Sequence, residues 1–385
     1  MAMKVGLVGC GNISDIYFAN ARRFSTFDIV ACADLDPGVA AAKSAAYGAR
    51  PLGVAELLAD PAVEIVLNLT PPKVHAEISL AAIENGKHVY TEKPLATSLA
   101  PAVELLDRAQ RAGLRVGAAP DTVLGANLQS AARMLDAGGL GAVVFGTSGM
   151  LSHGMEHWHP NPQFFYADGG GPVMDMGPYY VAALVTLLGP VERVQAVGRI
   201  GSPMRTITAA GSRHQGETIQ PSVLTTVVGT LVFTSGVHVS LVVSWDAWAH
   251  RHPVMELHAV NGSMGLADPN WFGGPVQVAA AGEGWREVAT DECVFGRPNF
   301  DAAGVPVANY RGLGLAEMCR AIERGTPHRV SGEMALHVLE VLLALNRCAL
   351  LGTSAAIPQC SFTPPRLPED EASALWAGGA SAAVD

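Results

Sequence analysis

The chain reads as an α/β N-terminal domain built on a parallel sheet, followed by an α+β domain whose sheet is mostly antiparallel. Three observations predict this. Short apolar runs alternate with helical segments up to about residue 118, the pattern of parallel βαβ units. After Pro120 long strand-like runs follow one another with turns and no helices between them, which argues antiparallel pairing. A glycine turn joins the first strand to the first helix.

The elements justify themselves in order. Residues 4–8 form an apolar strand, and residues 13–23 the first helix. Residues 28–33 are the next strand, followed by Pro37 and an alanine-rich helix to Tyr47. Asp36 precedes that proline and reads as the helix N-cap. Further strands are expected at 64–69, 88–90 and 114–117, and helices at 74–85 and 99–112. A helix over 126–137 opens the second part and stops at Gly138-Gly139. Strands are then expected at 143–151, 192–200, 223–233, 237–244 and 254–260. Two helices, about 315–324 and 332–351, close the region. The expected domains are 1–120 and 121–360, with 361–385 as a peripheral tail rich in Ala, Gly and acidic residues.

Composition narrows the function. The 385 residues carry a formal charge of −10, with 49% hydrophobic and 16% charged residues. An acidic chain without a basic run lacks the footprint of a nucleic-acid binder, and this one is too apolar to be disordered. No uncharged apolar run is long enough to read as a membrane span. The six cysteines show no CxxC pair. With no signal-peptide pattern at the start, this suits a reduced, cytoplasmic protein.

The first candidate site is Gly9-Cys10-Gly11-Asn12-Ile13-Ser14. Its glycines allow a tight turn and close backbone approach to a pyrophosphate. The helix that follows offers free N–H groups and the positive end of its dipole. Ser14 stands where the GxGxxG pattern has its third glycine. Asp34 ends the second strand, 25 residues after Gly9. A carboxylate there accepts from both ribose hydroxyls of adenosine and repels a 2′-phosphate, so NAD is favoured over NADP.

Three further segments resemble the Gfo/Idh/MocA oxidoreductases. They are Thr70-Pro71-Pro72-Lys73-Val74-His75, Thr91-Glu92-Lys93-Pro94 and Gly169-Gly170-Gly171-Pro172-Val173-Met174-Asp175-Met176-Gly177-Pro178-Tyr179. The resemblance implies a Rossmann domain followed by a large, mostly antiparallel open sheet that often mediates homodimers or homotetramers. It implies an NAD(P)-dependent dehydrogenase acting on a sugar, cyclitol or related polyol. Lys93 matches the catalytic lysine. Glu92 and the Thr70-Pro71 turn match cofactor contacts, and His75 a position near the nicotinamide half. Asp175 matches the aspartate of a D-x-G-x-H element whose histidine is commonly the acid/base. Tyr179 stands in that histidine's place.

The chemistry of these residue types agrees. Oxidising a secondary alcohol needs a proton acceptor and a hydride acceptor held against the carbon. A desolvated Lys93 is expected to have a lowered pKa, and a Tyr179–Lys93 pair is a proton-transfer unit; alternatively Lys93 acts alone and Tyr179 orients the substrate. A dinucleotide-binding sensor without turnover is the competing reading.

His153-Gly154-Met155-Glu156-His157 matches H-x-x-E-H, a zinc-hydrolase pattern. That pattern needs a helix, and Gly154 with His159-Pro160-Asn161-Pro162 disfavours one. The segment is therefore expected to hold no metal and to be a substrate loop. Trp158 would stack on a sugar face, and His153, His157 or His159 would bond its hydroxyls. Asp121 is placed either to bind a substrate hydroxyl or to tie the domain junction. His337, in an apolar helical run, reads as structural.

Overall fold

The computed structural model describes residues 2–360 and 362–376. The N-terminal part is built from β1 (Met3–Val8), α1 (Ser14–Ala21), β2 (Phe27–Ala33), α2 (Pro37–Tyr47), β3 (Arg50–Leu52), α3 (Val54–Ala59), β4 (Ile65–Asn68), α4 (His75–Glu84), β5 (His88–Thr91), α5 (Leu99–Ala112) and β6 (Val116–Ala118). Its six strands pair in the order β3-β2-β1-β4-β5-β6, all parallel. The order reverses beside β1, so a crevice opens at the carboxyl ends of β1 and β4, where such sheets take their ligands. The strands are apolar along their length because helices cover both faces: Val5, Leu7, Ile65, Val66 and Leu67 are fully buried.

The second part contributes α6 (Ala126–Asp136), β7 (Val143–Leu151), α7 (Pro172–Asp175), α8 (Gly177–Leu188), β8 (Val191–Arg199), β9 (Arg205–Thr206), β10 (Thr218–Ile219), β11 (Thr226–Phe233), β12 (His238–Ser244), β13 (Met255–Ala259), β14 (Gly262–Leu266), β15 (Val276–Ala280), β16 (Arg286–Val288), β17 (Phe300–Ala302), β18 (Val305–Val307), α9 (Leu313–Arg324), α10 (Gly332–Leu351), β19 (Ser354–Ala356) and α11 (Glu369–Leu375). Nine strands make one sheet in the order β16-β15-β14-β13-β7-β12-β11-β8-β19. Every pair in it is antiparallel except β7–β12. One face is covered by α8 and α10. Alternation on β11 shows the other face: Val227, Leu231 and Phe233 are buried, while Val228 is exposed.

Helix α10 is long and apolar enough to cross a membrane. Here it packs on β8, β11 and α8, with Leu339, Val341, Leu342 and Leu345 fully buried. His337 is buried in the same helix and accepts a hydrogen bond at Nε2 from Val191 N (3.0 Å). Asp36 caps α2, its Oδ1 accepting from Gly38 N at 2.8 Å. Both residues stand as the sequence suggested.

The tail is where the sequence reading needs correcting; residue 361 and residues 377–385 lie outside the described part. Residues 362–376 are not peripheral but strap the two domains together. Leu367 N donates to Gln129 Oε1 (2.7 Å), Arg329 pairs with Glu371 (2.8 Å), and Ser25 N donates to Leu375 O (3.0 Å). Trp376 packs edge-on against Phe24, Phe295 and Tyr310 at 5.0–5.9 Å between ring centres. Alanine and acidic composition hid a strap held by hydrogen bonds, an ion pair and one aromatic ring. Trp376→Ala is expected to cost about 2 kcal/mol, below the loss for a fully buried Trp. Thermal denaturation checks this, and an unchanged melting temperature would show that the strap contributes nothing.

Candidate active site

The turn after β1 has the geometry a pyrophosphate needs. Gly9 has φ +98, and a Cβ there would lie 2.6 Å from the Leu69 carbonyl carbon, so only glycine fits. At Gly11 a Cβ would meet nothing within 4 Å; this side of the turn is open. Ser14, fully buried, donates from Oγ to Gly11 O at 2.6 Å and so locks the turn onto α1. Asn12 and Ile13 stay exposed at the helix start. Asp34, one residue past β2, is fixed by two backbone donors: Cys10 N to Oδ2 (2.8 Å) and Asp36 N to Oδ1 (3.0 Å). Its carboxylate therefore sits beside the glycine turn with lone pairs to spare. This cradle fits the adenosine ribose and pyrophosphate of a dinucleotide.

The catalytic candidates follow β5. Glu92 is buried; Oε1 accepts from Tyr17 OH (2.8 Å) and Oε2 from Lys93 N (3.0 Å). Lys93 reaches across to the second domain. Its Nζ donates to Asp175 O (2.7 Å) and Asp175 Oδ1 (3.0 Å) at the end of α7. It also lies 5.0 Å from the Tyr179 ring centre, a cation–π contact. Pro172 at the start of α7 and Pro178 in the first turn of α8 begin the two short helices that hold these side chains. Lys93, Asp175 and Tyr179 are thus brought together at the seam of the domains.

The electrostatics reverse one expectation. Burial works against the Lys93 ammonium, but the Asp175 carboxylate, Tyr179 and Glu92 outweigh it, and the pKa is raised rather than lowered. Lys93 is therefore a held cation, suited to donating hydrogen bonds and neutralising negative charge.

The surroundings of His75, Asp121 and the histidine loop are also defined. His75 is 1% exposed and spends both ring nitrogens inside the protein. Its ring nitrogens face Thr70 O (2.6 Å) and Pro94 O (2.7 Å), tying the Thr70-Pro71 turn to the loop after Lys93. Burial pushes its pKa down, and the two carbonyls oppose that shift. Asp121, also 1% exposed, accepts from Gly312 N (2.9 Å) and Gly314 N (3.1 Å) at the start of α9. It ties the junction instead of facing substrate, and burial raises its pKa to about 6. The histidine loop divides. His153 lies nearly parallel to the Trp248 ring and to His157, whose ring is tilted to Trp248, beside Glu156 and Arg205. His159 packs on Phe164 and Phe165 and feels the charge of Asp175, while Trp158 is 64% exposed beside it.

Sequence reasoning missed Arg311. This buried guanidinium donates from Nη2 to Asn270 Oδ1 (2.8 Å) and to Tyr179 OH (3.4 Å), and from Nη1 to Asn309 Oδ1 (2.7 Å). Tyr179 thus lies between two cations. Arg311 comes from the loop before α9, where no spacing or motif marks it.

Residues 3–119 match the model of an oxidoreductase family with an NAD-binding Rossmann fold, and residues 128–265 match the GFO/IDH/MocA C-terminal domain. A D-xylose 1-dehydrogenase (NADP(+)) of Haloferax volcanii is 28% identical over 364 residues, 92% of this chain and 100% of that protein. An uncharacterised oxidoreductase of Rhizobium meliloti is 28% identical over 84% of this chain and 89% of its own length. Among solved structures, apo levoglucosan dehydrogenase superposes with a TM-score of 0.81 at 22% identity, covering 94% of this chain and all of that one. With both domains matched, and with the glycine turn, Lys93 and Asp175 in place, the chain belongs to the Gfo/Idh/MocA family of NAD-binding oxidoreductases.

Proposed function

We propose that the protein is an NAD-dependent dehydrogenase that oxidises a secondary hydroxyl of a sugar, cyclitol or related polyol. The observation that carries this reading is the Lys93 ammonium, held between Asp175 and Tyr179 directly after the strand that borders the dinucleotide crevice. Gly9, Gly11 and Asp34, with Asn12, Ile13, Thr70, Pro71 and Glu92 around them, would hold the cofactor. When bound, NAD supplies the hydride acceptor. Lys93 donates a hydrogen bond to the substrate oxygen and stabilises the negative charge that grows there. The hydroxyl proton passes to the Tyr179 oxygen, which lies between the Lys93 and Arg311 cations. Asp175 holds Lys93 in place and leaves a carboxylate oxygen for a neighbouring hydroxyl. Trp158 and His159 border the sugar. A silent sensor has no need of this arrangement, and the relatives bear enzyme names.

Two further properties go with this reading. Phe145, Val197 and Val228 are exposed apolar side chains on one face of the nine-stranded sheet, which supports a homodimer or homotetramer through that face. A cytoplasmic setting suits the free cysteines.

Asp34 decides the cofactor. Turnover should be faster with NAD than with NADP across a panel of sugars and inositols, read as NADH or NADPH absorbance. Asp34→Ala should weaken NAD binding about 10–100-fold by removing charge-assisted hydrogen bonds and narrow the preference over NADP. Equal use of both cofactors by the unaltered protein would contradict the role given to Asp34.

A further inference from the structure

The loop between β7 and the Gln163–Tyr166 turn holds a second cluster that the dehydrogenase reaction does not use. His153, Glu156 and His157 do not lie on a helix, so the zinc-hydrolase geometry of their sequence pattern is absent. Their side chains converge nonetheless: one ligand atom from each lies within 4.8 Å of the others. Each histidine also carries an unpartnered nitrogen. His153 Nδ1 and His157 Nε2 are buried without a hydrogen bond, a costly arrangement for polar nitrogens.

We propose that His153 Nδ1, Glu156 Oε1 and His157 Nε2 form a binding site for a divalent zinc-class cation, with a fourth position open to water. The separation of one ligand pair suits it. His157 Nε2 and Glu156 Oε1 are 3.4 Å apart, long for a hydrogen bond. Two ligands of a tetrahedral zinc, at about 2.0–2.2 Å from the metal, lie about 3.4 Å apart. The tautomer suits it too. His157 Nδ1 is 2.6 Å from Thr208 Oγ1; donating there leaves Nε2 with a free lone pair near Glu156. A ligating histidine commonly anchors its other nitrogen in this way.

The charge balance points the same way. Glu156 and Asp246 both pair with Arg205, which is almost fully buried. Two carboxylates against one guanidinium leave one negative charge over. Arg205 Nη1 takes one lone pair of Glu156 Oε1 and Tyr166 OH bonds Oε2, which leaves a further lone pair on Oε1 for a metal. A proton on His157 would satisfy one orphaned nitrogen; a cation satisfies both. A mixed imidazole–carboxylate set suits zinc above magnesium or calcium. The bound ion would pin residues 153–157 and so set the position of Trp158 and His159, which border the substrate.

The test needs no substrate, so it stands apart from the dehydrogenase reading. Untagged full-length protein, stripped with a chelator, is titrated with Zn²⁺ by calorimetry. Co²⁺ is used as a spectroscopic probe. One equivalent of Zn²⁺ should bind, and Co²⁺ should give the intense visible bands of a tetrahedral site. His153→Ala and His157→Ala should each abolish the Co²⁺ bands. Thr208→Val, which keeps all three ligands, should weaken Zn²⁺ binding about 10–100-fold. No binding at micromolar Zn²⁺, or binding unchanged by the histidine substitutions, overturns the proposal. Should those variants fail to fold, the Co²⁺ spectrum of the unaltered protein and the Thr208→Val titration decide it.

Discussion

Lys93→Ala is expected to lower kcat for polyol oxidation by about 10²–10⁴-fold while leaving NAD affinity within a few-fold. The reason is local. In the proposed mechanism Nζ donates to the substrate oxygen, whereas the Gly9–Gly11 turn and Asp34 would hold the far half of the dinucleotide. The alanine variant also leaves the half-buried Asp175 carboxylate without its partner. Lys93→Met, which fills the space without the charge, should behave alike. Steady-state kinetics together with an NAD titration separate the effects. Full activity in either variant would remove Lys93 from the mechanism.

Tyr179→Phe is expected to lower kcat by about 10²–10⁴-fold with little change in the KM for NAD. Phenylalanine keeps the ring that Lys93 packs over and removes only the oxygen to which Arg311 donates. The substitution therefore tests proton transfer with the packing intact. A loss of only a few-fold would reduce Tyr179 to orienting the substrate and leave the proton to Lys93. That alternative fits poorly with an ammonium whose pKa is raised by Asp175, Tyr179 and Glu92 against the effect of burial.

The N-terminal domain was legible because each strand is an apolar run bounded by a helix with its own stop signal. β3 escaped because it is three residues long and contains Pro51, too short for any periodicity to register. In the second domain β7, β8, β11 and β12 declared themselves by length. β14 to β16 did not, since Gly262, Gly265 and Arg286 break the β-branched pattern that marks strands. Lys93 and Asp175 were readable from short segments of chain. What those segments could not carry was their electrostatic context. The sign of the Lys93 shift depends on Asp175 and Tyr179, from a stretch some eighty residues away, together with the adjacent Glu92, and only the fold brings the two stretches together. Arg311 was invisible for the same reason: its value lies in meeting Tyr179 across 132 positions. His75 and Asp121 were correctly singled out as chemically unusual, yet each spends its polar atoms on backbone groups. Burial, which a single sequence does not report, separates a positioning residue from one that touches a ligand.

The central claim is direct hydride transfer from a polyol carbinol carbon at the Lys93–Tyr179 site. It is tested most directly with a turned-over polyol deuterated at that carbon, followed by mass spectrometry of the nicotinamide product. The account predicts one deuterium on the reduced cofactor and a slower chemical step than with the protiated substrate, both absent in Lys93→Ala. Tight NAD binding with no deuterium transferred from any polyol would contradict it.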